Sequence, residues 1–299
     1  YAVIARLTPL FEQYAPAFAP RLRTQLSALT PDTPENLRDP RGRLMTEGLV
    51  PEDEGRRDRT QDILNRIATA KTSDERDELY MQAAFAARDQ NDPARAAEYV
   101  DKIEDLDLRK QVRAFMAFAA VNRAVREKKA DEAYQLSRGG ELTNVQRAWG
   151  MTEAARLLAK TEPGRAGEML DEALVEARRI DASTPDRTRA LVAIATQLVQ
   201  LDRPRAWETM SEVVKASNAA PAYSGEDGGL VARVQLKRGA ATTEFPVQTF
   251  NLTEIFMTLA REDFNRAADL ARSLTGEYPR SIATLAVART AFGKKASER

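Results

Sequence analysis

Apolar residues recur every three to four positions through most of this chain, and polar breaks interrupt them at near-regular intervals. That periodicity is the signature of amphipathic helices. From Leu142 to Ser217 the pattern reads helix, break, helix, break, helix, break, helix. The breaks share a composition: Asp92-Pro93-Ala94-Arg95-Ala96, Glu162-Pro163-Gly164-Arg165-Ala166 and Asp202-Arg203-Pro204-Arg205-Ala206, with weaker forms at Asp131-Glu132-Ala133 and Asn265-Arg266-Ala267. Proline at the first turn of a helix costs no hydrogen bond, because that N–H has no intrahelical partner.

The alanine closing each junction serves as a ruler. Ala96, Ala133, Ala166, Ala206 and Ala267 are spaced by 37, 33, 40 and 61 residues. The first three spacings fit two-helix repeat units, and the fourth fits one unit plus an insertion. Alanines crowd the helix before each junction, at 83, 84, 86 and 87, at 117, 119 and 120, at 154 and 155, and at 193 and 195. They favour the helix and let neighbouring axes approach closely. Phe85, Phe115, Phe118, Trp149, Ile194, Leu198, Trp207 and Phe256 are the expected core anchors.

The pattern divides the chain into four parts. Residues 1–59 are N-terminal helices followed by a Pro/Gly-rich wrap. A helix is expected to end near Leu7, with Thr8-Pro9 capping a new one and Pro20 opening another. Leu37, Leu44, Met45, Leu49 and Val50 give the wrap apolar residues with which to dock. Residues 60–218 carry the repeats. Residues 219–250 break the rhythm: Leu230, Ala232, Val234 and Leu236 alternate with other residues at period two, and so do Thr243, Phe245 and Val247, which predicts a β-hairpin. Residues 251–299 resume the repeats, with a last apolar helix after Tyr278-Pro279 and a frayed charged tail from Lys294. The expected fold is all-α: a right-handed α-solenoid of two-helix repeats with one inserted β-hairpin.

Composition narrows the chemistry. The 299 residues hold 45 Lys+Arg against 45 Asp+Glu, a balance that argues against a nucleic-acid binder. An RNA-binding helical repeat is a third, lower reading that would need a basic inner face. There is no cysteine or histidine, which removes the usual zinc and haem ligands and both Ser-His-Asp and Cys-His catalysis. No apolar run is long enough for a membrane span. Gly225-Glu226-Asp227-Gly228-Gly229 lacks the spaced ligands of a calcium loop. Gly139-Gly140 and Gly228-Gly229 lack the lysine and spacing of a phosphate loop. Asn251-Leu252-Thr253 is a glycosylation sequon at a helix start, where asparagine also caps. Glu153, Glu168, Asp171, Glu172 and Glu176 are candidates for paired-carboxylate chemistry, set against a solvated helix face with i,i+4 pairs. No cofactor is called for. Arg95, Arg165, Arg205 and Arg266 recur once per repeat, as a ladder toward an acidic partner or as ties between repeats.

From the first junction onward, about two thirds of the chain, the helix–turn–helix layout resembles tetratricopeptide-like α-solenoids, without their Trp…Leu-Gly…Tyr…Pro consensus. The junctions at Asp92 and Glu162, with the hairpin before Asn251, are similar to uncharacterised secreted helical-repeat proteins of bacteria. The solenoid resemblance implies protein or peptide binding on a concave face and carries over no functional residue.

These observations lead to a non-catalytic interaction or assembly scaffold as the expected function. A carboxylate-based hydrolase on an α-helical toroid is the alternative. The expected partner is a protein or peptide, including further copies of the chain as homo-oligomers or filaments, with Val234 and Leu236 of the hairpin and Ile282 and Leu285 of the last helix as assembly surfaces. Tyr1 in place of a starting methionine leads to an extracytoplasmic or extracellular expectation, with cytoplasmic as the alternative.

Overall fold

The computed structural model describes residues 1–31, 33, 60–226, 228–236 and 239–297. Its described residues form fourteen helices and one two-stranded sheet. The helices are α1 (Ala2–Tyr14), α2 (Ala19–Leu29), α3 (Thr60–Thr69), α4 (Ser73–Asp89), α5 (Pro93–Asp101), α6 (Leu106–Arg126), α7 (Ala130–Ser137), α8 (Asn144–Leu158), α9 (Pro163–Arg178), α10 (Pro185–Leu201), α11 (Arg203–Ala219), α12 (Leu252–Glu262), α13 (Phe264–Arg272) and α14 (Glu277–Ser297). Strands β1 (Gly228–Leu236) and β2 (Gly239–Val247) separate α11 from α12. The chain is thus all-α with one inserted β-hairpin, and none of its described helices is long and apolar enough to cross a membrane.

Local chemistry sets the helix starts. The carboxylates of Asp92, Asp202 and Asp263 accept from the backbone N–H groups of Arg95, Arg205 and Arg266 at 2.9, 3.2 and 3.0 Å. Each satisfies one of the donors that a helix N-terminus leaves open. Thr143 and Gln146 form a reciprocal capping box on α8. Thr72 accepts from Glu75, but the Glu75 carboxylate reaches back to the N–H of Lys71 instead of closing a box. Asn251 accepts from Thr253 and so caps α12.

The five ruler alanines occupy the fourth residue of α5, α7, α9, α11 and α13, and all five are buried. At that position the side chain is pressed against the preceding helix just past the turn, so a larger residue would force the pair apart. The turns between partner helices are tight. Asp202 ends α10 and caps α11, and Asp263 ends α12 and caps α13. Asn91 and Lys128 turn the chain with φ of 61° and 60°, in the left-handed region.

Packing follows a fixed alternation. Helices α4, α6, α8, α10, α12 and α14 each touch the next in that series, and α5, α7, α9, α11 and α13 lie between them. Three contacts between helices of the second series span 34 residues each: Arg165 with Asp131, Arg178 with Glu212, and Arg205 with Asp171. One large core runs from α7 to α14 through Leu170, Leu191, Ile194, Leu198, Met210 and Phe256. Gly150, inside α8, marks a close approach: a Cβ there would collide with Ser137 Oγ and sit 2.8 Å from Val121 Cγ1. The alanines at 154, 155, 193 and 195 are fully buried, as expected of interface positions.

A second core joins the hairpin to the helices. Leu230, Ala232, Val234, Val247 and Phe250 cluster with Met81 and Ala84 of α4, Val112, Phe115 and Phe118 of α6, Trp149 of α8 and Ala193 of α10. The strands pair antiparallel from Gly228↔Val247 to Leu236↔Gly239. The apolar side of β1 therefore faces the helices, while Val231, Arg233 and Gln235 face outward.

Two expectations change. Tyr1–Leu7 and Thr8–Tyr14 are one helix, with Pro9 inside it. The Thr8 hydroxyl bonds the Ile4 carbonyl at 2.7 Å, and Thr8 and Ala5 pack in the α1–α2 pair, so contacts hold the helix through a residue that lacks its N–H. At the other end, α14 continues through the charged residues to Ser297. The wrap residues Leu37, Leu44, Met45, Leu49 and Val50 lie outside the described residues.

Candidate functional site

The four repeated arginines turn toward their own chain. Arg165 bridges Asp131 on α7 and Glu162 at its own cap. Arg205 pairs with Asp171 on α9. Arg266 lies over the Trp207 ring, 4.4 Å from its centroid, and the Trp207 indole donates to Glu262 at 3.3 Å. Arg95 donates to the Tyr99 hydroxyl at 3.0 Å. Three of the four tie one helix to its predecessor in the second series, so the recurrence has a structural cause.

The candidate carboxylates are dispersed into contacts of their own. Glu153 pairs with Arg156 at 2.7 Å, Asp171 with Arg205, Glu172 with the Tyr134 hydroxyl at 2.6 Å, and Glu176 with Arg179 at 2.6 Å. Among the described residues no group of acids is arranged to hold a metal ion.

The assembly candidates separate. Val234 is fully buried against the helices, and Leu236 is half-buried with them. The hairpin face named by those two residues is part of the core, which removes it as a free surface. Ile282 is half-buried and packs toward Leu252 beside Gly225. Leu285 stands out, 61% exposed, with Tyr278 72% exposed on the same side of α14.

One concave feature was not foreseen. A trough of about 760 Å³ runs along α6, walled by the end of α4 and by α5. Its floor is Ala96, Ala97, Val100, Phe115, Met116, Ala119 and Ala120, and Phe245 of the hairpin closes one side. It opens because α5 and α6 touch only briefly, whereas α7 with α8 and α9 with α10 pack along their lengths. The rim is charged. Arg88 pairs with Asp89 at 2.7 Å and lies over the rings of Phe85 and Phe115, and Arg113 pairs with Asp101 at 2.7 Å. Arg123 is held by the side-chain carbonyl of Asn91, with Glu127 at 4.0 Å. Lys129 takes the Glu127 carboxylate at 2.7 Å and, by that hydrogen bond, holds it below the usual carboxylate range. Met116, Ala119, Ala120 and Arg123 form a half-exposed run on α6, which apolar periodicity alone does not distinguish from a covered face.

Comparison with known proteins gives no match: no family model, no curated protein and no solved structure.

Proposed function

We propose that this chain is a non-catalytic interaction and assembly scaffold, an α-solenoid of tetratricopeptide-like two-helix units that associates with further copies of itself through the outer face of α14. The supporting observation is the apolar stripe of Tyr278 and Leu285. Pro279, Ala283, Ala286 and Val287 are buried on the inward side of α14. At about 100° per residue, Tyr278 and Leu285 fall well round from that row, on a side that no described helix covers. Each earlier helix of that series receives another helix on its outer side. An exposed apolar face on a stacked array favours addition of another unit, and a head-to-tail contact propagates unless its rotation closes a ring. The hairpin fills a face of α4, α6, α8 and α10 on which a solenoid would hold a peptide, which directs the partner to the exposed face of α14.

Light scattering over a concentration series tests this reading. The mass of the parent is expected to rise above that of one chain, and a Tyr278→Glu, Leu285→Glu variant to remain a single chain throughout. A parent of constant monomeric mass, or a variant that assembles as readily as the parent, overturns it.

A further inference from the structure

We propose that the trough along α6 binds a single-chain anionic amphiphile of the long-chain carboxylate class, with its head at Arg123 and Arg126 and its tail over Ala120, Ala119, Met116 and Phe115. This goes beyond the assembly reading and does not depend on it.

The dimensions suit a slender, extended guest. The lining residues of α6 run from Arg113 to Arg126, roughly 20 Å at the helical rise. Spread over that length, the 760 Å³ is a long and narrow space rather than a round one. An extended chain fits. An extended peptide, however, brings a donor and an acceptor for every residue, and each must find a partner when buried. The lining lies on helices apart from Asn91, Glu127, Glu141 and Phe245, and the floor is apolar, so the walls offer no ladder of backbone partners. An unbranched hydrocarbon tail has no such requirement, and its burial is favourable in proportion to its area. The volume also lies in the range of small-molecule sites, ~300–1,000 Å³, which are mostly apolar with a few placed polar groups.

Charge sets the orientation. Four arginines and four acids line the trough. Arg88 with Asp89 and Arg113 with Asp101 close among themselves, and Lys129, from outside the lining, occupies Glu127. Arg123 shares Glu127, at 4.0 Å, with Lys129, which itself also reaches Glu132 at 3.5 Å, and Glu141 on the α7–α8 connection is the remaining acid of the lining. Arg123 is anchored by a neutral amide, and Arg126 has no carboxylate within ion-pair distance among the described residues. The guanidiniums with the weakest carboxylate contacts are therefore at the α6 C-terminal end of an apolar channel, where a carboxylate head would form charge-assisted hydrogen bonds.

The experiment is isothermal titration of the full chain with dodecanoate below its micelle concentration, beside dodecyltrimethylammonium as the cationic counterpart. One dodecanoate per chain is expected, with the cationic probe at least tenfold weaker. Arg123→Gln with Arg126→Gln should weaken dodecanoate at least tenfold. Ala120→Phe, which fills the half-exposed floor without entering the core, should do the same, and Ala119→Leu serves as the second filler if the first lowers the folded fraction. Absence of saturable dodecanoate binding, equal affinity for the cationic probe, or unchanged affinity in the arginine variant or in a folded filler variant overturns the proposal. Assembly through α14 is read from mass, so either result leaves the other interpretable.

Discussion

Phe118 is the residue through which the hairpin becomes part of the helical body. It is fully buried on α6, edge-on to Trp149 of α8 with centroids 5.5 Å apart, and edge-on to Phe245 of β2 at 4.9 Å. Truncating a buried phenylalanine to alanine costs about 3–5 kcal/mol in lost transfer energy and cavity. Phe118→Ala also removes two aromatic contacts, so a loss near the upper end, about 4–5 kcal/mol, is expected. The milder pair Phe118→Leu and Phe245→Leu isolates the tie itself. A double-mutant cycle should return a coupling of about 0.5–1.5 kcal/mol, the worth of one edge-to-face pair beyond its buried area. Urea denaturation gives the stabilities, and fluorescence gives a local view, since Trp149 is one of only two tryptophans. A coupling inside the additivity error of ~0.3–0.5 kcal/mol would refute the claim that the hairpin is packed through Phe118.

Three further outcomes follow from buried positions. Ala155→Leu and Ala195→Leu should each destabilise by about 1–3 kcal/mol through overpacking, read as a lowered urea midpoint, and unchanged midpoints would contradict the packing. Asp77 is buried and accepts the backbone N–H groups of Glu104 and Asp105 at 2.8 and 2.9 Å; with charge-assisted bonds worth about 1.5–3 kcal/mol each, Asp77→Ala should cost about 3 kcal/mol, and Asp77→Asn less because one acceptor remains. The Tyr223 hydroxyl is buried with no hydrogen-bond partner among the described residues, and burial holds its phenol well above the ordinary value of 10.0. The folded state then keeps a proton that the unfolded state releases, so this contribution to stability is complete below pH 10 and is lost as pH rises toward the folded value. Tyr223→Phe should accordingly flatten the alkaline fall in melting temperature, and an unchanged slope above pH 10 would count against it.

The helix pairs were legible because their determinants are local. Proline at a first turn, an aspartate whose side chain reaches the third N–H beyond it, and an alanine one position later lie within five residues. The hairpin was legible as two strands for the same reason, since period two is a property of nine consecutive residues. Where the hairpin packs was not, because that depends on contacts such as Gln235 N–H to Gln111 Oε1, 124 positions apart. Val234 and Leu236 therefore have the look of an assembly surface in the sequence, yet they fill a face already lined by Phe118 and Trp149. Gly150 was passed over because a glycine in a helix acquires meaning only from the Ser137 and Val121 side chains above it. The trough arises from helices that fail to meet along their lengths, a relation that no stretch of sequence carries. The arginine ladder lay between these cases. Its recurrence was visible, but that Arg165 and Arg205 each reach 34 residues back to an aspartate of an earlier helix was not, because the direction of a side chain is set by the packing.

The chain has no cysteine, so a single one can be placed without background. Leu285→Cys, carrying a thiol-linked photo-crosslinker on the exposed side of α14, reads directly what meets that face. The scaffold account predicts cross-links between position 285 and peptides of a second copy, resolved by mixing isotopically light and heavy protein and rising with concentration. Only intrachain products, or none, at concentrations where the parent is assembled would contradict it.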